Sequence, residues 1–410
     1  MKTALAVIAL AGVATLASCS GNKDMNTNKP TPRNGMRTLS IENVVKPKHY
    51  VESGSFKGLG DMKGGAPLIL PGQKVEIKFK AAKGQALMFA TMYGASKDWF
   101  FASQQPGITL YTKDGKAITG DVSSEVKLWD NGTKDNMNGN PESKMIMEVP
   151  NVKASDLMKL TLAYTEETSE FTLTITNSSK GTAHETPFSP GVWAVSNFDG
   201  MKLLAPTPFF MPGKKTNDEI TALATMGDIS KLEKTLKANT GIITGLSPVL
   251  VVVYRGTKNP IFTLGQKDAK LGLKEFSQMG DAKKLMASLK KMAGVKSVFL
   301  VGNAPLAPGK SAMAQYKPEQ GDMLAYATMF GFSNDWFYAN EKVVSATMVG
   351  DLTKATMLYD SGTGVDQYPG AGNRQALFGG TPQMEDKVIM KVGNMFPIPP
   401  VEEVLKITIR

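Results

Sequence analysis

Cysteine is all but absent from this chain: one residue, Cys19, in 410. A single thiol excludes an intrachain disulfide framework, so the fold must rest on buried apolar cores, which a chain of this length can build. Histidine is almost as scarce, with only His49 and His184. They sit in unrelated contexts with no nucleophile motif beside either. No Ser-His-Asp or Cys-His arrangement is suggested, and we expect no enzyme. Neither a P-loop nor a dinucleotide fingerprint occurs, so no organic cofactor is expected. Basic residues outnumber acidic ones, 47 to 37, for a formal charge of +10. They form no dense run, zinc spacing or recognition-helix pattern, which argues against nucleic acid. The excess reads first as a solvated, lysine-dotted surface. It also implies a general attraction to acidic glycans or anionic head groups that weakens with salt.

Long apolar runs are missing too, apart from Ala4 to Leu16 behind Lys2. That run is about 13 residues, too short for a lasting membrane span and suited to a processing signal. It ends Leu16-Ala17-Ser18-Cys19, small residues before the lone cysteine. The pattern resembles a bacterial lipoprotein lipobox, which implies lipidation of Cys19, a signal over residues 1–19 and anchoring to the membrane. Residues 20–37 are polar with two prolines and read as a flexible tether. By the same resemblance, Ser20 beside the cysteine favours the outer membrane.

What is present is repetition. Residues 66–103 and 304–340 share APL, then PG, a strand, a Gly, and A-T-M-x-G-x-S-x-D-W-F. Such agreement is a duplication, and it announces two copies of one module. Short alternating runs such as Val75-Ile77-Phe79, Leu160-Leu162 and Leu405-Ile407-Ile409, separated by Gly, Pro, Asn and Asp turns, predict mainly β structure in two antiparallel β-sandwiches. Their extents are expected at 38–165 and 170–410, with TEETSE as the connector. A second, inner repeat runs from Met211 and again from Leu264. Met226-Gly227-Asp228 and Met279-Gly280-Asp281 each precede an amphipathic helix, with the Asp near its N-terminus as cap or dipole partner. The second sandwich is therefore expected to carry duplicated helical segments, giving α+β overall. Pro248 to Tyr254 is a continuous apolar run and reads as a fully buried strand.

The string from Phe89 to Phe100, followed by Asp130, Gly132 and Thr133, resembles the spondin N-terminal domain. So does Tyr326 to Phe337 with Asp360, Gly362 and Thr363, and Thr186 to Val195 (TPFSPGVWAV) is similar to a further stretch of that family. The family pattern has one helical front unit after the S-P-G-V strand, whereas this chain has two. The resemblance implies adhesion or ligand binding at the cell envelope, with an envelope protein or glycan as partner. A purely structural envelope protein is the alternative.

The same resemblance implies calcium, held in the first copy by Asp98 and Asp130 and in the second by Asp335 and Asp360. A third acid is expected directly after D-x-G-T, but Lys134 and Gly364 stand there; Asp135 and Asp366 follow slightly later and could substitute if the loop bulges. A lysine in the loop repels a cation, which favours the second copy, since affinity follows ligand charge. The competing reading has Asp98 and Asp335 accepting backbone N–H bonds, with D-x-G-T a simple turn. Trp99 and Trp336 are candidate aromatic anchors for a ligand, against the alternative that they are core packing. Methionines such as Met88, Met92 and Met329 fall at apolar positions and read as core filler.

Overall fold

The computed structural model describes residues 35–59, 67–134, 145–199, 202–203 and 209–410. The signal segment, Cys19, most of the tether and Asp135 lie outside the described residues. The alternating runs form antiparallel strands in two sandwiches, each made of a four-stranded and a seven-stranded sheet. In the first sandwich the smaller sheet runs Lys74–Lys80, Glu170–Asn177, Met158–Thr165, Gly120–Asp121. Its counterpart in the second runs Ser311–Tyr316, Arg37–Asn43, Leu405–Ile409, Gly350–Asp351. The larger sheets correspond in the same way. Tyr50–Phe56, Phe188–Ser196 and Ala86–Tyr93 lead one, and Val295–Val301, Val249–Tyr254 and Met323–Met329 lead the other.

This pairing moves the expected boundary. Glu170–Asn177 does not open the second sandwich; it zips along the whole of Met158–Thr165 and, on its other side, along Lys74–Lys80. TEETSE is thus a hairpin turn, with Ser169 in the left-handed region at φ 56°. The Phe188–Ser196 strand joins Tyr50–Phe56 and Ala86–Tyr93, so it also belongs to the first sandwich. The strand expected to open the first sandwich, Arg37–Asn43, lies instead between Ser311–Tyr316 and Leu405–Ile409 in the second. Residues from Tyr50 to about 240 are therefore an insertion within the second sandwich, between its first strand and Val249–Tyr254. The physical reason is a third repeat that is easily overlooked. Thr38-Leu39-Ser40-Ile41-Glu42-Asn43 and Thr172-Leu173-Thr174-Ile175-Thr176-Asn177 are the same strand in two sandwiches. Asn43 Nδ2 donates to the Thr244 and Leu306 carbonyls, as Asn177 Nδ2 donates to those of Ile69 and Thr186.

The second sandwich does not carry both helical units as expected; the same exchange gives one copy to each sandwich. Asp218–Met226 and Ser230–Ala238 cover the outer face of the first large sheet; Leu273–Met279 and Lys283–Leu289 cover that of the second. Each M-G-D string is a helix stop and restart. Gly227 and Gly280 end one helix at φ 66° and 72°, a conformation that favours glycine. Asp228 Oδ1 then accepts from Ser230 N, and Asp281 Oδ1 from Lys283 N, at the start of the next.

With sheet on one side and helices on the other, the large sheets are buried on both faces. That is why Val249–Tyr254 is apolar throughout rather than alternating: Val249, Val251 and Val253 enter the inter-sheet core, while Leu250, Val252 and Tyr254 meet the helices. The two sandwiches touch through a long excursion after Asp360. Tyr368 packs against both inter-sheet cores, Gln85 Nε2 donates to the Gly370 carbonyl, and Asn373 N donates to Ser169 Oγ.

Candidate functional site

The repeated motif gathers at one end of each large sheet, where strand Trp99–Ser103 or Trp336–Asn340 begins. Its polar letters are consumed in the same way twice. Thr91 Oγ1 donates to the Ser189 carbonyl at 2.7 Å and Thr328 Oγ1 to that of Ser247 at 2.8 Å, tying A-T-M to the Ser-Pro strand. Gly94 and Gly331 approach that neighbouring chain closely; a Cβ would sit 2.7 Å from the Pro187 carbonyl oxygen or 2.8 Å from that of Gly245. Ser96 and Ser333 each accept the backbone N–H of the following tryptophan, at 2.8 and 2.9 Å.

The two aspartates of D-W-F are fully buried. Asp98 Oδ2 accepts Thr133 N, Thr133 Oγ1 and Lys134 N within 2.9 Å. Asp335 Oδ2 accepts Thr363 N, Thr363 Oγ1 and Gly364 N within 3.0 Å, and Ser361 Oγ at 2.8 Å. Asp130 Oδ1 and Asp360 Oδ1 each take the N–H of their own loop glycine at 2.7 Å. The structure thus brings Asp98 to the Asp130 loop and Asp335 to the Asp360 loop, and in both copies D-x-G-T is a turn organised by a buried carboxylate.

Beyond that shared frame the copies diverge. In the first, Trp99 Nε1 donates to Asp130 Oδ2 at 3.2 Å. In the second, Asp366 enters the cluster, and Asp335 Oδ1, Asp366 Oδ1, Asn334 Nδ2 and Trp336 Nε1 are buried without a hydrogen-bond partner. Burial pushes the Asp366 carboxyl up to about 7, and the Asp335 and Glu385 charges add to the rise. Trp336 Nε1 faces Asp366 and offsets part of it without reaching hydrogen-bond geometry. Asp360 is raised by burial and then by the charges of Asp335 and Asp366. Asp335 is raised by burial, against the bonds from Ser361, Thr363 and Gly364 that favour its charged form.

Glu385, which sequence reasoning missed, belongs here because the chain returns 25 residues after Asp360: Glu385 N donates to the Thr363 carbonyl and Lys387 N to that of Gly362. Its carboxylate pairs with Lys387 Nζ at 2.6 Å. No local spacing signals a contact made by so long a return. A cleft of about 280 Å³ lined by Thr363, Met384 and Glu385 opens beside the loop.

Among the described residues no three His, Cys, Asp or Glu side chains converge to hold a metal ion as they stand. Two buried carboxylate oxygens without donors, among acids that raise one another, nonetheless suit a cation better than they suit an empty loop. Such a group is seen in the second copy alone among the described residues. Trp99 and Trp336 are not exposed anchors: they are 9% and 1% exposed and sit in the two inter-sheet cores. No family model matches the chain, and no curated protein matches it.

Proposed function

We propose that this chain is a lipid-anchored protein of the cell envelope, held at the outer membrane through Cys19, whose tandem spondin-like sandwiches bind a ligand or make an adhesive contact. Calcium organises the loop end of the second sandwich. The observation that carries this reading is the pair of donorless carboxylate oxygens, Asp335 Oδ1 and Asp366 Oδ1, beside Asp360. Calcium takes about 6 to 8 oxygen ligands, and Asp335, Asp360 and Asp366 are the residues that would hold it, with Glu385 next to them. Bound there, it would neutralise the cluster and fix the 361–388 excursion as a rigid contact surface. The first copy, with Lys134 in its loop and Asp130 already bonded to Trp99 and Gly132, is the poorer host.

A purely structural role is the second reading. It is favoured by the donors that already surround Asp98 and Asp335, which need no ion to form the turn.

Thermal unfolding of the body from residue 20, in EDTA and in millimolar calcium, separates the two. A ligand of the native state at a hundred times its Kd stabilises by about 2.7 kcal/mol. We expect a calcium-dependent rise in midpoint that Asp366→Asn abolishes and Asp98→Ala leaves in place. Equal midpoints with and without calcium would end the metal reading and leave the structural one.

A further inference from the structure

A cleft of about 510 Å³ lies between the two sandwiches and contains none of the acids of the Asp335 cluster. The first sandwich contributes Lys83, Lys116, Tyr111, Tyr164 and Glu166, and the second contributes Arg374 and residues 379–381. Its size is that of a small-molecule site, and its lining combines charge of both signs with aromatic carbon.

Lys83 is the anomaly. It is half-buried, and its ammonium makes no hydrogen bond or ion pair among the described residues. It lies across the turn at Gly115, where an added Cβ would stand 2.9 Å from its Cε and Nζ, so that glycine makes room for it. The other cations are engaged: Arg374 donates through Nη1 to Gln383 Oε1 and faces Glu166 through Nη2 at 3.5 Å, and Lys116, at the rim, faces Asp114 at 3.4 Å. Tyr111 is fixed by its hydroxyl bond to the Ala81 carbonyl and stands edge-on to Tyr164, which presents the more accessible ring.

We propose that this cleft binds an acidic sugar, a hexuronate or the uronate end of a glycan. The chemistry matches group for group. The sugar carboxylate pairs with Lys83, and the charge of the Arg374 guanidinium, which Glu166 and Gln383 hold in place, adds to the attraction. Its hydroxyls donate to Glu166, which would repel a bare phosphate, and its C–H face rests on the Tyr164 ring. Both sandwiches supply contacts, so the site exists only when they are seated against each other. The proposal concerns a different site from the calcium loop and stands or falls apart from it.

Saturation-transfer NMR with D-glucuronate on the body from residue 20, run in EDTA, tests it. Transfer to the sugar ring protons is expected, weakening with salt, absent for glucose, and not displaced by equimolar inorganic phosphate. Lys83→Gln should weaken binding about ten-fold or more, as loss of a hydrogen bond to a charged group does. Because Lys83 holds nothing else, its unfolding midpoint should stay at the parent value; Arg374→Gln serves as the second variant. No transfer, equal transfer to glucose, phosphate competing as a generic anion, or unchanged binding in both variants would each overturn the assignment.

Discussion

At the scale of single residues, the letters that make the repeat recognisable are structural before they are functional. Thr91, Ser96 and Asp98, like Thr328, Ser333 and the Oδ2 of Asp335, each bond a backbone group nearby. Function, where it departs from structure, follows from the neighbours that differ. The raised carboxyls of Asp360 and Asp366 fix a pH dependence. A carboxylate whose folded pKa lies above its unfolded value of about 3.9 contributes stability that is full below that value and lost as pH rises through the folded one. In EDTA the unfolding midpoint should therefore fall between pH 5 and pH 8, through the region of about 7 where Asp366 ionises. Asp366→Asn should raise stability at pH 8 by on the order of 1–2 kcal/mol and flatten the slope. Calcium should flatten it in the parent by holding the acids ionised. A midpoint that climbs from pH 5 to pH 8 in EDTA would show that these carboxyls are not raised.

At the scale of elements, the N-terminal strand matters most. Arg37–Asn43 is an interior strand of its sheet, paired on both edges, with Leu39 and Ile41 fully buried. Burying one such side chain contributes about 1.5–3 kcal/mol, and removing the strand also leaves two ladder edges unpaired. Deleting residues 35–43 should unfold the second sandwich. A 50–241 fragment should fold alone, having its own helical pair and both its sheets. A 242–410 fragment should need a 35–45 peptide in trans. Amide NMR spectra of the three samples decide it; a well-dispersed spectrum from 242–410 alone would refute the assigned role of this strand.

At the scale of the whole molecule, one sandwich is nested inside the other. The second closes only when a strand at residue 37 meets partners beyond residues 310 and 404, contacts of very long sequence separation that form late. The first is continuous in the chain, so it can form first. The excursion after Asp360 couples them through Tyr368, which packs on both cores, with Ala371 fully buried in the core of the first. Tyr368→Ala should uncouple the two and split one calorimetric transition into two. It should also abolish glucuronate binding, since the cleft needs both walls. A single unchanged transition would mean that the coupling runs elsewhere.

The sequence by itself determined the fold class, the duplication and the presence of two helical units; the partnership of Asp98 and Asp335 with the D-x-G-T loops came only as what the family resemblance implies. The first three rest on period-two patterning and on side chains that act within short, repeated segments. Tertiary structure decided which copy of each repeat serves which sandwich. Strand exchange depends on pairing energies between T-L-S-I-E-N or T-L-T-I-T-N and distant partners, and alternation alone is identical for either choice. It also decided that Trp99 and Trp336 are core, since an aromatic at a strand end carries no mark of the face it meets. Glu385 at the acid cluster, and Lys83 in one cleft with Arg374, are placements made only by chain returns. Charge reads out in composition, but the field it creates depends on which charges the fold sets face to face.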